Sequence, residues 1–201
     1  MSGKVDFRRA SFEFLSIVVA VVLAMALTEW RQDMLNNKLA RKSLENIILE
    51  IQDNRNELLV DSTKIRRDLE FMDRWINDFE KKGEKNEFSL NFDYSFLNRA
   101  ALDVAINNQS MTYIDFDINM VLAEIYNTQE FYSKKALDVF DAMGELTTST
   151  HKMESEEFLA KVKGFRFQLG LVMGSIRAYL VETESFLLGQ NISLTSETTN
   201  P

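Results

Sequence analysis

Apolar and polar positions follow two distinct patterns along this chain. From Phe12 to Trp30 (FEFLSIVVAVVLAMALTEW) apolar residues are nearly continuous, and only Glu13 and Glu29 carry charge. From Leu44 to Phe79 they recur at alternating steps of four and three through Ile48, Ile51, Leu58, Ile65, Leu69, Met72 and Ile76, with Arg55 and Ser62 filling the two polar places. That is the period of a long helix with one apolar stripe, packed on its own domain's helices or forming a self-associating stalk. Neither Gly nor Pro occurs between Lys4 and Lys82, so nothing in the covalent chain obliges the first apolar helix to stop before the second pattern begins. KKGEKNEFSLN, from Lys81 to Asn91, reads as the first loop. Further helices are predicted over Tyr94–Ile106, Ile118–Leu146 and Ser155–Leu188, separated by NNQSMTYID and TTSTHK. Ser155 followed by Glu156 and Glu157 is a helix-start signal.

These patterns predict an all-α protein. A short amino-terminal tail (1–11) leads into a transmembrane helix (12–30), and a helical soluble domain (31–188) continues it as a long helix joined to a bundle of about four helices. A flexible tail (189–201) closes the chain.

The first apolar run admits three readings. Fifteen uncharged residues separate Glu13 from Glu29, about 22 Å of helix, short of the roughly 20 residues of a full crossing. Placing both glutamates at headgroup level extends the run to Phe12 and Trp30, with Arg8, Arg9 and Arg31 outside. A cleaved signal peptide has Arg8-Arg9 and the small-residue pattern Ala24-Met25-Ala26 in its favour. A buried core helix is the third possibility. The anchor is the preferred reading, because Glu13 interrupts the signal-like approach and helical pattern continues past Trp30. Ser16, Ala20, Ala24 and Thr28 line small side chains along one face, and Glu13 and Arg31 project from that same face. Small residues at this spacing let helices approach closely in lipid, and the chain offers no second span to receive them, so a homo-oligomer or another membrane protein is the expected partner.

Composition sharpens the fold and removes several chemistries. Among 201 residues there are one Pro and seven Gly, which favours helix throughout. The formal charge of −8 gives no bulk attraction to phosphate backbones or anionic lipid. There is no Cys and a single His, at position 151, so disulfides, thiolate sites and paired-histidine metal motifs are excluded, and no Gly-rich phosphate loop occurs. No catalytic residue, metal or cofactor is expected. Asp115 and Asp117 flank Phe116 ahead of a helix and read as caps, as do Glu154, Glu156 and Glu157. Lys161, Lys163 and Arg166 alternate with Phe165 and Phe167, the one cluster suited to an anionic or nucleic-acid regulator. On a helix the two Phe rings cannot face the same way, so at least one belongs to the core. Gly170 and Gly174 would allow another helix to approach closely.

EFLSIVVAVVLAMALTEWR followed by KSLENIILEIQDN resembles a group of poorly characterised bacterial single-pass proteins that open with Glu-Phe, a Val/Ala/Leu span and a Trp-Arg exit. The likeness covers about the first quarter of the chain, with Ala20 standing where such sequences often carry Gly. It implies membrane anchoring and a helical domain. The overall outline is also similar to small membrane effectors of antiphage systems of the Hailong type, an analogy of architecture. The expected function is therefore a non-enzymatic membrane effector that self-associates through its span, conducts ions, and is controlled by its helical domain. The alternative is a membrane-tethered scaffold that binds a partner protein. Lys4, Arg8 and Arg9 precede the span and Arg31, Lys38, Arg41 and Lys42 follow it closely, so charge is nearly balanced; a short amino-terminal tail is easily translocated, and the expected location is the bacterial inner membrane with the domain in the cytoplasm.

Overall fold

A computed structural model of the chain describes residues 7–82, 88, 94–149 and 155–190. All regular structure among the described residues is helical: α1 (Phe7–Lys82), α2 (Ala100–Asn107), a 3-10 turn (Ser110–Tyr113), α3 (Phe116–Ser149) and α4 (Ser155–Gly189). The apolar run and the long bundle helix are one element of 76 residues, roughly 110 Å long at the helical rise. The missing breaker before Lys82 is thus expressed as an unbroken rod.

Burial along α1 begins at Ala40. Beyond it the helix packs on α4, and α4 packs in turn on α3. Ion pairs from Arg55 to Glu184, Asp73 to Arg166 and Glu80 to Lys163 run in opposite senses along the two helices, so α4 returns antiparallel to α1. On the other side, α1 and α3 are bridged by the segment 94–99 together with α2 and the 3-10 turn. At the far end Trp75 stacks on Phe79 and meets Phe88 and Phe158 edge-on, closing the core with aromatic rings.

The stripe predicted on α1 faces this core: of its eleven positions none is exposed. Its centre, however, lies to one side. The most buried series is Ile47, Ile51, Asn54, Leu58, Asp61, Ile65, Met72, Trp75 and Phe79, with half-buried Asp68 completing the heptad. Three polar residues therefore occupy central places, while Arg55 and Ser62 sit at the margin. The helix predicted over Tyr94–Ile106 is corrected at its start. Residues 94–99 are not helical and α2 begins at Ala100, because long-range partners take the backbone groups that a helix would use. α3 begins two residues earlier than predicted and ends three later, and α4 runs one residue further.

Candidate functional site

The amino-terminal part of α1 has no cover. Every residue from Ser11 to Leu35 is exposed, and from Phe12 to Trp30 the large apolar side chains expose between 40% and 73% of their surface. This stretch is long and apolar enough to cross a membrane, and none of it is buried in the bundle. A helix of 19 residues spans about 28 Å, close to the roughly 30 Å of a hydrocarbon core. Twelve large apolar residues left in water, at about 1.5 kcal/mol or more each, represent on the order of 20 kcal/mol of unrealised burial. That exceeds the net stability of an ordinary domain, and it is the driving force available to any apolar surface that covers the segment.

Within the run, the polar groups are satisfied locally. The Ser16 hydroxyl donates to the Glu13 carbonyl at 2.8 Å and the Thr28 hydroxyl to the Ala24 carbonyl at 2.9 Å. Neither hydroxyl proton needs water or a partner helix, which is the condition for a polar residue in lipid. Ser16 and Ala20 form the floor of a shallow groove of about 350 Å³ walled by Phe12, Leu15, Val19 and Leu23. The small-residue face is therefore a concave apolar track, continued by Ala24 and Thr28 at the same helical spacing. Glu13 and Arg31 lie at its two ends. Residues Arg31 to Leu39 form a neck of about 14 Å between this run and the first buried residue, Ala40.

The three cations singled out on α4 are already engaged. Lys163 contacts Glu80 at 2.6 Å, and Arg166 contacts Asp73 through Nε at 2.7 Å and Nη2 at 3.0 Å. Lys161 lies 3.9 Å from Glu145. The Arg166 hydrogen bond holds the Asp73 carboxyl below the ordinary carboxylate range, and the guanidinium pKa is raised in return. These contacts tie α4 to α1 and α3 across its two flanks. Phe165 is core at 2% exposure and Phe167 is outside at 61%. Cβ atoms built at Gly170 and Gly174 would meet nothing within 4 Å, so no helix of the described residues approaches there.

Asp115 caps α3: its Oδ1 accepts from the Asp117 amide at 2.8 Å, and Asp117 lies in the first turn. Glu156 and Glu157 occupy the first turn of α4. His151 and Glu154 lie outside the described residues. Among the described residues no group of three or more acidic or histidine side chains is placed to hold a metal.

Hydropathy pattern does not reveal the ladder of polar side chains on α1 that grips the 94–101 segment. Tyr94 donates to Asp68 at 2.6 Å, and the Ser95 amide donates to Asp61 at 2.6 Å. Asn54 both accepts from the Asn98 amide and donates to the Asn98 carbonyl, each at 2.8 Å. Glu50 accepts from the Ala101 amide and from the Tyr126 hydroxyl, each at 2.7 Å. Gln129 and Tyr132 on α3 complete the clamp through the carbonyls of Asn98 and Ser95. Asn54 and Asp61 are 1% and 0% exposed; these bonds make that burial tolerable, together with Lys64, whose ammonium lies 3.2 Å from Asp61 Oδ1 and balances its charge. Their spacing on α1 is the one sequence signal: Asn54, Asp61 and Asp68 are seven residues apart.

Comparison with protein-family models, curated proteins and solved structures gives no match to this chain.

Proposed function

We propose that the chain is a non-enzymatic membrane effector of the bacterial inner membrane, anchored by the Phe12–Trp30 part of α1 and assembled through the Ser16, Ala20, Ala24, Thr28 track. The observation that carries this reading is the uncovered apolar stretch of a helix whose other half is the spine of a folded bundle. Lipid is the environment that fits its length, its apolar character and its internally bonded hydroxyls. Several copies packed along the small-residue track enclose a narrow path with Glu13 and Arg31 rings at its ends, and such a path conducts ions. Cations flank the span on both sides in nearly equal number, and the short amino-terminal tail, easily translocated, favours a cytoplasmic bundle. Because α1 is continuous, a change in how the bundles pack is transmitted through the neck to the spans. By analogy of architecture, this is a toxin-like or antiphage role of the Hailong type. The ion pairs on Lys161, Lys163 and Arg166 weigh against a preformed anion site, so assembly through the helical domain is the favoured control.

Conductance of liposomes loaded with the purified full-length chain tests the pore. Ala20→Leu with Ala24→Leu fills the track and is expected to abolish an ion flux that the unaltered chain supports. Equal conductance in both, or none in either, contradicts the reading.

A further inference from the structure

We infer that the outer face of α4 is a second self-association surface, on which two copies pack their α4 helices side by side, parallel and in register. α4 sits between α1 and α3, and its inner side supplies the bundle core through residues such as Phe165, Leu169, Val172, Ile176 and Tyr179. Its outer side carries an uncharged line. At alternating steps of four and three from Ala160 to Leu188, every position is Ala, Gly, Ser, Phe, Leu or Val. Phe167, Val181 and Leu188 on this line are 61%, 66% and 60% exposed. In a chain with 27% charged residues, an unbroken neutral heptad line on an outer face marks a helix-packing seam.

Charge and symmetry identify a second copy as its occupant. In a parallel heptad pair, residues flanking the seam meet the partner's residue five places further on. That rule sets Arg177 against the partner's Glu182 and Glu156 against the partner's Lys161, both attractive; it sets Lys163 against Gln168, Gly170 against Ser175 and Glu184 against Gly189, so no like charges meet. Arg177 is exposed with no ion-pair partner among the described residues, and half-buried Glu182 carries the opposite charge on the other flank of the seam. The open space at Gly170 and Gly174, which borders a groove of about 450 Å³ with Leu171 and Phe131, receives the partner's Leu171. The parallel sense rests on the membrane reading above: copies in one membrane are related by an axis along its normal, which sets α4 helices parallel.

The chain has no cysteine, so single substitutions report proximity in the full-length protein in its membrane. Phe167→Cys, Gly174→Cys and Val181→Cys are each expected to form intermolecular disulfides on mild oxidation, whereas Val60→Cys, on the exposed far side of α1, is not. In the Val181→Cys background, Arg177→Glu or Glu182→Arg is expected to lose most of the cross-linking, and the two together to restore it. Cross-linking at only one of the three α4 positions indicates an antiparallel contact and overturns the inference, as does equal reaction at Val60→Cys or insensitivity to the charge swaps. Ala20→Cys and Ala24→Cys read the span separately. Cross-links there without any on α4 refute this surface and leave the effector reading standing; cross-links on α4 alone refute the span assembly and support this surface.

Discussion

At the residue scale, Asn54 shows how a polar side chain specifies this fold. It stands where a heptad helix ordinarily carries Leu or Ile, yet it is buried and bonded to both backbone groups of Asn98, 44 residues away in sequence. Reading apolar periodicity treats such a residue as surface, which is why the predicted stripe on α1 is displaced toward Arg55 and Ser62. By contrast Asp115 is legible, because its partner, the Asp117 amide, is two residues away. Local chemistry can be read from spacing; partners dozens of residues apart cannot. Asn54→Ala removes two part-buried hydrogen bonds to the Asn98 backbone, and the cost expected is about 1–3 kcal/mol. Urea unfolding in mild detergent, followed by circular dichroism, checks this against Val60→Ala, an exposed control expected to shift stability by about 0.5 kcal/mol or less.

At the element scale, the 94–101 segment depends on phenols as well as on the α1 ladder. Burial pushes the pKa values of Tyr94, Tyr126, Tyr132 and Tyr179 up from the ordinary 10.0, and hydrogen bonds to Asp68 and Glu50 add to the effect at Tyr94 and Tyr126. A folded-state pKa above the unfolded value means that the folded state holds its protons more tightly. The contribution is complete below about pH 10 and is lost as pH rises further. Alkaline titration is therefore expected to ionise these phenols together with loss of helix, monitored by tyrosinate absorbance and circular dichroism. Ionisation near pH 10 with helix content intact contradicts the described clamp. Sequence alone predicts helix across 94–106 because YSFLNRAALDVAI contains no breaker. Residues 94–99 are not helical because Asp61, Asn54, Gln129 and Tyr132 satisfy their backbone in place of a next turn. The carboxylate and cation pairs that join the described helices were likewise invisible, whereas the apolar run, the α1 period and the start at Ser155 were legible from contiguous residues.

At the scale of the whole molecule, the chain divides into a lipid-compatible rod and a water-compatible bundle that share one helix. About five turns of apolar surface emerge from the bundle with no other described residue folded back over them. Every part of the proposed function depends on lipid covering that surface. Accessibility to a membrane-impermeant maleimide in sealed vesicles tests it most directly, with single cysteines placed at Val18 and Val22, opposite the small-residue track, and at Asn37 in the neck. The account predicts that Val18→Cys and Val22→Cys stay unlabelled until detergent is added, while Asn37→Cys reacts from the bundle's side of the membrane. Labelling of all three at equal rates in intact vesicles would contradict it.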